Sequence, residues 1–285
     1  GDVEGVTLEN LSEPQTGCLH DYQLTAADMK LLSKADVFIV NGGGIESFLS
    51  DVAESYPNLK IVQACDGIDL LESAEGSEES HSHGSDSDTD TDSEEHLHEN
   101  EDADHEDHDH SEHSHGDENA HAWMNLADYQ IQVQNICNGL SEADSAHAEQ
   151  YAENAQIYQG KVQELQQEAA ELASQIASQP VVIFHEAYEY IAQEYGLQLA
   201  GEMNLDEERQ VSAGEVADIL HAIEDNHVSV VLAEELYGTD MGEMVAKQSG
   251  VKVVYLDTLT RGDYSADSYL EGMRNNIKQL KEAFQ

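Results

Sequence analysis

Hydrophobic positions along the chain fall in short unbroken runs, and between the runs the spacing lengthens to that of amphipathic helices. VFIVN (37–41) follows a helical pattern, TAADMKLLSKA, and IVQA (61–64) follows a Pro57–Asn58 turn. Unbroken apolar runs of this length predict strands of parallel type, buried on both faces. Gly42, Gly43 and Gly44 come directly after the first run. They lack the GxxxxGKS and GxGxxG spacings of phosphate loops, so a tight turn into a helix over 45–55 is expected. Residues 72–119 carry almost no apolar side chains and are expected to form a disordered loop, since they cannot bury enough surface to offset ordering.

From Leu126 the pattern is helical. Ser141 and Asp144 have the spacing of a capping box, opening a helix that continues to about Ser178. Such a helix, of some 35 residues, would span roughly 50 Å and could act as a spine. After Pro180 strands and helices alternate. VVIFH (181–185), LQLAGEM (197–203), VSVVLA (228–233) and KVVYLD (252–257) read as strands, with helices to Tyr195 and over about 212–226, 239–249 and 266–284. The alternation predicts an α/β fold with a parallel sheet. Three regions follow: an N-terminal lobe over 1–125, linking helices over 126–178 and a C-terminal lobe over 179–285.

Charge narrows the function. Sixty acidic residues against 11 basic ones give a formal net charge of -49. Nucleic acid and anionic membrane surfaces are thereby disfavoured as partners, and cations favoured. Between Glu72 and Glu118, ends included, stand 20 acidic residues and nine of the 15 histidines. Histidine-rich acidic tracts of this kind bind divalent metals weakly and repeatedly. The three cysteines, Cys18, Cys65 and Cys137, match no zinc-finger spacing and allow at most one internal disulfide. No apolar run approaches the roughly 20 residues of a membrane span. The chain opens at Gly1 without Met, which suggests a processed or shortened start.

Ligands of open α/β sheets bind at the carboxyl ends of the strands. His185 closes one predicted strand and Asp257 another, while Glu234 and Glu235 follow a third. Glu234 reads as a helix cap. His20 lies in a loop, GCLHDY, ahead of a helix, and His121 lies in HAWMN, where the acidic tract rejoins the folded chain. Three imidazoles and a carboxylate are a donor set suited to tetrahedral Zn²⁺. His147, His221 and His227 sit in helical surroundings and read as surface or helix-end residues. Glu186 follows His185, but the HExxH pattern of zinc hydrolases is missing, since Glu189, after Tyr188, stands where the second His would close it.

Together these segments resemble the metal-specific solute-binding proteins of ABC transporters, in their zinc-uptake branch. CLHDYQLTAADMKLLSKADVFIVNGGGIESFL is similar to the family's first ligand segment. HAWMNLADYQIQVQNI resembles the second, normally Asp-Pro-His-x-Trp. VVIFHEAYEYIAQEYGLQLAG resembles the third, and VVLAEELYGTDMGEMVAKQSGVKVVYLDTL the closing segment. The resemblance implies His20, His121, His185 and Asp257 as ligands of Zn²⁺. It also implies two α/β lobes with parallel sheets, bridged by a long helix, with the metal in the cleft between them. A His/acid-rich loop before the second ligand segment is a feature of the branch. Ala120 departs from the usual Pro before His121, and Cys18 is atypical. The strand and helix that normally open the family are missing from this chain.

By this resemblance the protein is an extracytoplasmic, non-enzymatic monomer, periplasmic or lipid-anchored at the outer face of the cell membrane. It would bind a divalent metal ion and pass Zn²⁺ to a membrane permease of an ABC transporter. Manganese or mixed-metal uptake is the nearest alternative, and a zinc hydrolase or a metal-storage protein the alternatives of other classes. On this reading His121 belongs to the folded site and the tract is an appendage. Ions held by the tract must order it, which lowers affinity per site. Deleting residues 77–116 is therefore expected to remove several weak sites and keep one tight one, as read by calorimetric titration. Loss of the tight site with His121 intact would make the tract its source.

Overall fold

The computed structural model describes residues 3–11, 22–72, 118–205 and 211–285. His20, Cys18 and nearly all of the His/acid tract lie outside these residues. The first unit is built on β1 (Val37–Val40) and β2 (Lys60–Gln63), which pair in parallel with Val37 opposite Lys60. Helix α1 (Ala26–Leu32) precedes β1, and α2 (Leu49–Ser55) connects the two strands. Thr25 and Asp28 close a capping box at the start of α1, each side chain bonded to the other's backbone N–H.

The glycine turn is longer than expected, and α2 starts at Leu49. Gly42, Gly43 and Gly44 all have positive φ (82°, 66° and 85°), a conformation natural to glycine. The backbone N–H groups of Asn41 and Gly42 donate to the two carboxylate oxygens of Glu46, at 2.7 and 3.0 Å. A phosphate loop would present such groups to a ligand; here they hold a side chain of the same chain.

Two helices follow, and the second is the long one expected, somewhat shorter than about 35 residues. Helix α3 (Leu126–Ala143) and α4 (Ala148–Ile176) pack against each other, joined by a 3-10 turn at Ser145–His147. The 29 residues of α4 span about 44 Å. No capping box forms at Ser141. Its hydroxyl bonds back to the Cys137 carbonyl inside α3, and Asp144 leaves helical geometry at φ −132° and ψ 75°. The Asp144 carboxylate instead accepts from His147 Nδ1 at 2.6 Å and Tyr151 OH at 3.1 Å, which fixes the corner. Cys65 and Cys137 are both buried free thiols.

The second unit is a four-stranded parallel sheet in the order β6 (Gln198–Glu202), β5 (Pro180–Ile183), β7 (Val230–Ala233), β8 (Lys252–Tyr255). Helices α5 (Tyr188–Tyr195), α6 (Ala213–Asp225), α7 (Glu235–Ser249) and α8 (Ser268–Ala283) alternate with the strands. Side chains alternate between the faces of a strand. Val181, Ile183, Val230 and Leu232 accordingly join the core that includes residues of α4, α5 and α8. Val182, Val231 and Ala233 join the core beneath α6 and α7. Both central strands are covered on two sides, hence their unbroken apolar runs. The first of these cores continues through Ile45, Cys65, Trp123 and Leu126, so one apolar cluster runs through both units.

Helix α7 begins at Glu235, a turn earlier than the expected start near 239. Gly238 sits in its first turn because a Cβ there would stand 3.0 Å from that of Ala233. A two-residue antiparallel pair, β3 (Leu71–Glu72) with β4 (Glu118–Asn119), brings the two ends of the tract together where an open loop was expected.

Gly139 marks where α3 meets β2. A Cβ on it would lie 2.5 Å from Val62 Cγ2. Gly160, exposed in α4, has nothing within 4 Å of its hypothetical Cβ. Gly139→Ala should therefore destabilise by about 1–3 kcal/mol through overpacking. Gly160→Ala should stabilise by roughly 0.5–1 kcal/mol. Urea unfolding of the two variants would check the opposite signs.

Candidate metal centre

His185 follows β5 and points out of the carboxyl end of the sheet, where the Phe184 N–H still donates to Leu232 O at 2.9 Å. Its ring is nearly buried, at 8% exposure. The Ala187 N–H donates to His185 Nδ1 at 3.1 Å, and His185 Nε2 faces Glu234 Oε2 at 3.9 Å.

His121 arrives from the other direction. It precedes a 3-10 turn at Ala122–Met124 and is 1% exposed. Its ring lies 5.1 Å from that of His185, at right angles, and 5.0 Å from Trp123. Asn41, at the end of β1, places this segment by donating from Nδ2 to the Ala120 carbonyl at 2.9 Å. Trp123 ties it to the other unit, its indole N–H donating to Thr258 O at 2.8 Å while its own carbonyl accepts from Tyr269 OH at 2.7 Å.

Asn119 lies against the far side of His121. Its Oδ1 is 2.9 Å from His121 Nδ1 and 3.1 Å from the His121 backbone nitrogen. Its Nδ2 donates to the Glu186 carbonyl at 2.9 Å and Glu189 Oε2 at 2.8 Å. The Glu186 carboxylate approaches His121 Nδ1 to 3.6 Å. Beyond Glu189 stands Glu202, whose carboxyl is pushed up to about 8 by burial and then by the charge of Glu189.

Carboxylates complete the surroundings. Glu234 occupies the backbone cap position of α7, but its side chain makes no cap bond. Instead Oε1 accepts from Arg261 Nη2 at 2.7 Å and Thr258 Oγ1 at 3.1 Å, leaving Oε2 toward His185. Burial raises the Glu234 carboxyl above its ordinary range, and Arg261 opposes that rise. Asp257 stands at the end of β8, exposed, with Oδ1 accepting from the Leu259 N–H at 2.8 Å. Its backbone is held by buried Asn276, which accepts from the Asp257 N–H and donates to its carbonyl. Tyr188, fully buried, donates to Leu256 O at 2.7 Å and sits 5.9 Å from the His185 ring.

Of the four residues singled out in sequence, the structure thus brings His121 and His185 together. It places Asp257 at the end of β8, two strands along from β5, and His20 lies outside the described residues. Among the described residues no three His, Cys, Asp or Glu side chains stand together as a ready metal cage. Asn119 and Glu234 are the neighbours that sequence reasoning missed. Asn119 stands at the Asp position of the Asp-Pro-His-x-Trp motif, a signal that could have found it, and Glu234 had the look of a plain helix cap. His147, His221 and His227 lie away from this centre: His147 pairs with Asp144, and the other two sit in or just after α6.

A parallel α/β framework that brings two buried imidazoles together at a strand end is that of a metal-binding solute-binding protein. Residues 3–283 match the family described as zinc-uptake complex component A, periplasmic (ZnuA), and the chain belongs to that family. The high-affinity zinc uptake system protein ZnuA of Brucella abortus (strain 2308) is 32% identical over 287 residues, covering 98% of this chain and 86% of that protein. The iron-binding protein YfeA of Yersinia pestis is 25% identical over 289 residues, covering 100% of this chain and 80% of the relative. Among solved structures, the SBP FpvC from Pseudomonas aeruginosa in complex with Mn²⁺ superposes with a TM-score of 0.74 at 22% identity, covering 96% of this chain and 88% of that one. Among the described residues no helix is long and apolar enough to cross a membrane.

The Trp123–Thr258 bond joins the His121 segment to the strand-end loop after β8. Trp123→Phe keeps most of the ring and removes the donor, leaving a buried carbonyl unpaired. The expected loss is about 1–3 kcal/mol of unfolding free energy, measured by denaturant titration. An unchanged midpoint would show that this bond does not hold the two segments.

Proposed function

We propose that the protein captures a divalent metal ion, Zn²⁺ first among them, outside the cytoplasm and delivers it to the membrane permease of an ABC transporter. The ligands in this reading are His20, His121, His185 and Asp257, with Glu234 as the buried carboxylate facing His185. One observation carries the proposal: two nearly buried imidazoles from separate parts of the chain meet with rings 5.1 Å apart. Burying imidazoles side by side has little structural benefit unless something binds between or beside them.

The zinc assignment rests on donor type. Imidazole in the third ligand segment suits Zn²⁺, where a carboxylate would have favoured Mn²⁺. The relatives named for zinc support it. The relatives named for iron and manganese keep mixed-metal uptake as the second reading. Placement outside the cytoplasm follows the family's description as periplasmic and relatives that are named lipoproteins. A role as carrier, not catalyst, accords with the absent HExxH pattern, and the reading takes the protein as a monomer with linking helices between two lobes.

Calorimetry with Zn²⁺ and Mn²⁺ at fixed ionic strength tests this reading. One tight Zn²⁺ site is expected, with affinity falling in His185→Ala by more than the roughly 10–100-fold typical of losing an outer partner. Ligating imidazoles must be neutral, and ordinary histidine titrates near 6.5, so binding should weaken below about pH 6. Tight binding that survives His185→Ala would place the site elsewhere, and tighter Mn²⁺ than Zn²⁺ would reverse the metal assignment.

A further inference from the structure

We infer that Asn119 is a positioning residue that fixes which nitrogen of His121 carries the ring proton, and so presents Nε2 as the metal-binding lone pair. The inference rests on the reading of His121 as a ligand. Its physical basis is the hydrogen-bond arithmetic of one side chain.

Asn119 is 1% exposed. Its Nδ2 donates to the Glu186 carbonyl and the Glu189 carboxylate, at 2.9 and 2.8 Å. Neither a carbonyl nor a carboxylate oxygen can donate in return. The amide orientation is therefore set, because a flipped amide would point its oxygen at two acceptors. With Nδ2 fixed, Oδ1 must face His121, where it accepts the backbone N–H at 3.1 Å and meets Nδ1 at 2.9 Å. An amide oxygen only accepts, so Nδ1 carries the hydrogen. In the neutral ring the other nitrogen, Nε2, then holds the lone pair. A partner on the second nitrogen is how ligating histidines are commonly oriented. The Glu186 carboxylate, 3.6 Å from Nδ1, is beyond hydrogen-bond range.

The backbone of Asn119 is held as firmly. Tyr190 OH donates to its carbonyl at 2.6 Å and accepts from the Leu71 N–H at 3.1 Å, and Leu71 pairs with Asn119 in the strand pair at the foot of the tract. Both donors and both acceptor directions of the Asn119 amide are used. This explains why an amide suits the position better than an aspartate: a carboxylate would satisfy His121 but would face Glu189 and the Glu186 carbonyl without a hydrogen to offer.

The experiment reads tautomer and affinity separately in the full chain. Ring ¹⁵N shifts of metal-free protein, with His121 assigned by loss of its signals in His121→Asn, should report hydrogen on Nδ1. Asn119→Leu should lose that preference and bind Zn²⁺ about 10–100-fold more weakly. Asn119→Asp should also weaken binding, and adding Glu189→Gln, which supplies one of the two missing donors, should recover part of the loss. Glu189→Gln alone, which keeps an acceptor for the Asn119 amide, is the baseline against which the double variant is read. Recovery in the double variant separates positioning from a general folding defect, which thermal melts follow in parallel. An unchanged tautomer in Asn119→Leu, or no recovery in the double variant, overturns the inference. If His121→Ala keeps tight binding while the tautomer behaves as stated, it is the ligand assignment that fails.

Discussion

A buried imidazole must find an acceptor for its ring hydrogen, and two of them side by side must find different ones. That requirement organises the centre of this molecule. His121 is served by Asn119, which in turn needs Glu186 and Glu189 behind it. His185 accepts the Ala187 N–H through Nδ1 at the start of α5, and the Glu234 carboxylate lies 3.9 Å from Nε2, an ion-pair approach rather than a hydrogen bond. Glu234, buried in its turn, is held by Arg261 and Thr258. Each histidine thus draws in a chain of polar partners from the elements around it. Removing any inner member leaves a buried group unpaired, which costs more than the bond itself contributes.

The fold supplies these partners because parallel strands end together. The ends of β5, β7 and β8 follow one another along the sheet edge, so Glu234 stands beside His185 and Asp257 stands one strand further on. Tyr188 lies across these ends, close to both Leu256 O and Ala233 O. On the opposite side, β1 and its glycine turn place Asn41 against Ala120. Trp123 and Tyr269 then join the His121 segment to the second unit through backbone bonds. The apolar cluster that passes through both units gives the arrangement its stiffness.

Much of this was legible in sequence. The central strands announced themselves because burial on both faces leaves no polar alternation, and His185 and His121 stood where strand ends and segment entries put them. Helix boundaries were less legible, for local reasons. The helix expected from about 239 starts at Glu235, with Gly238 in its first turn close against Ala233, and the run through Ser141 looked like a helix start while Asp144 and His147 were building a corner. The strand pair at Leu71–Glu72 and Glu118–Asn119 is too short for any periodicity to reveal. Glu234 escaped notice because its importance lies in what it faces across the fold, whereas Asn119 stands two residues before His121, where the motif of the second ligand segment has Asp.

The short strand pair has an architectural consequence. Adjacent antiparallel strands lie only about 5 Å apart, so the chain leaves the body at Glu72 and returns at Glu118 through the same doorway. To the rest of the molecule the intervening segment is topologically a hairpin turn, whatever its length or composition. Such a doorway makes the position a natural graft point. A different metal-binding sequence, a fluorescent reporter or a plain turn of a few residues could be exchanged there, as one fitting is exchanged for another on a common socket.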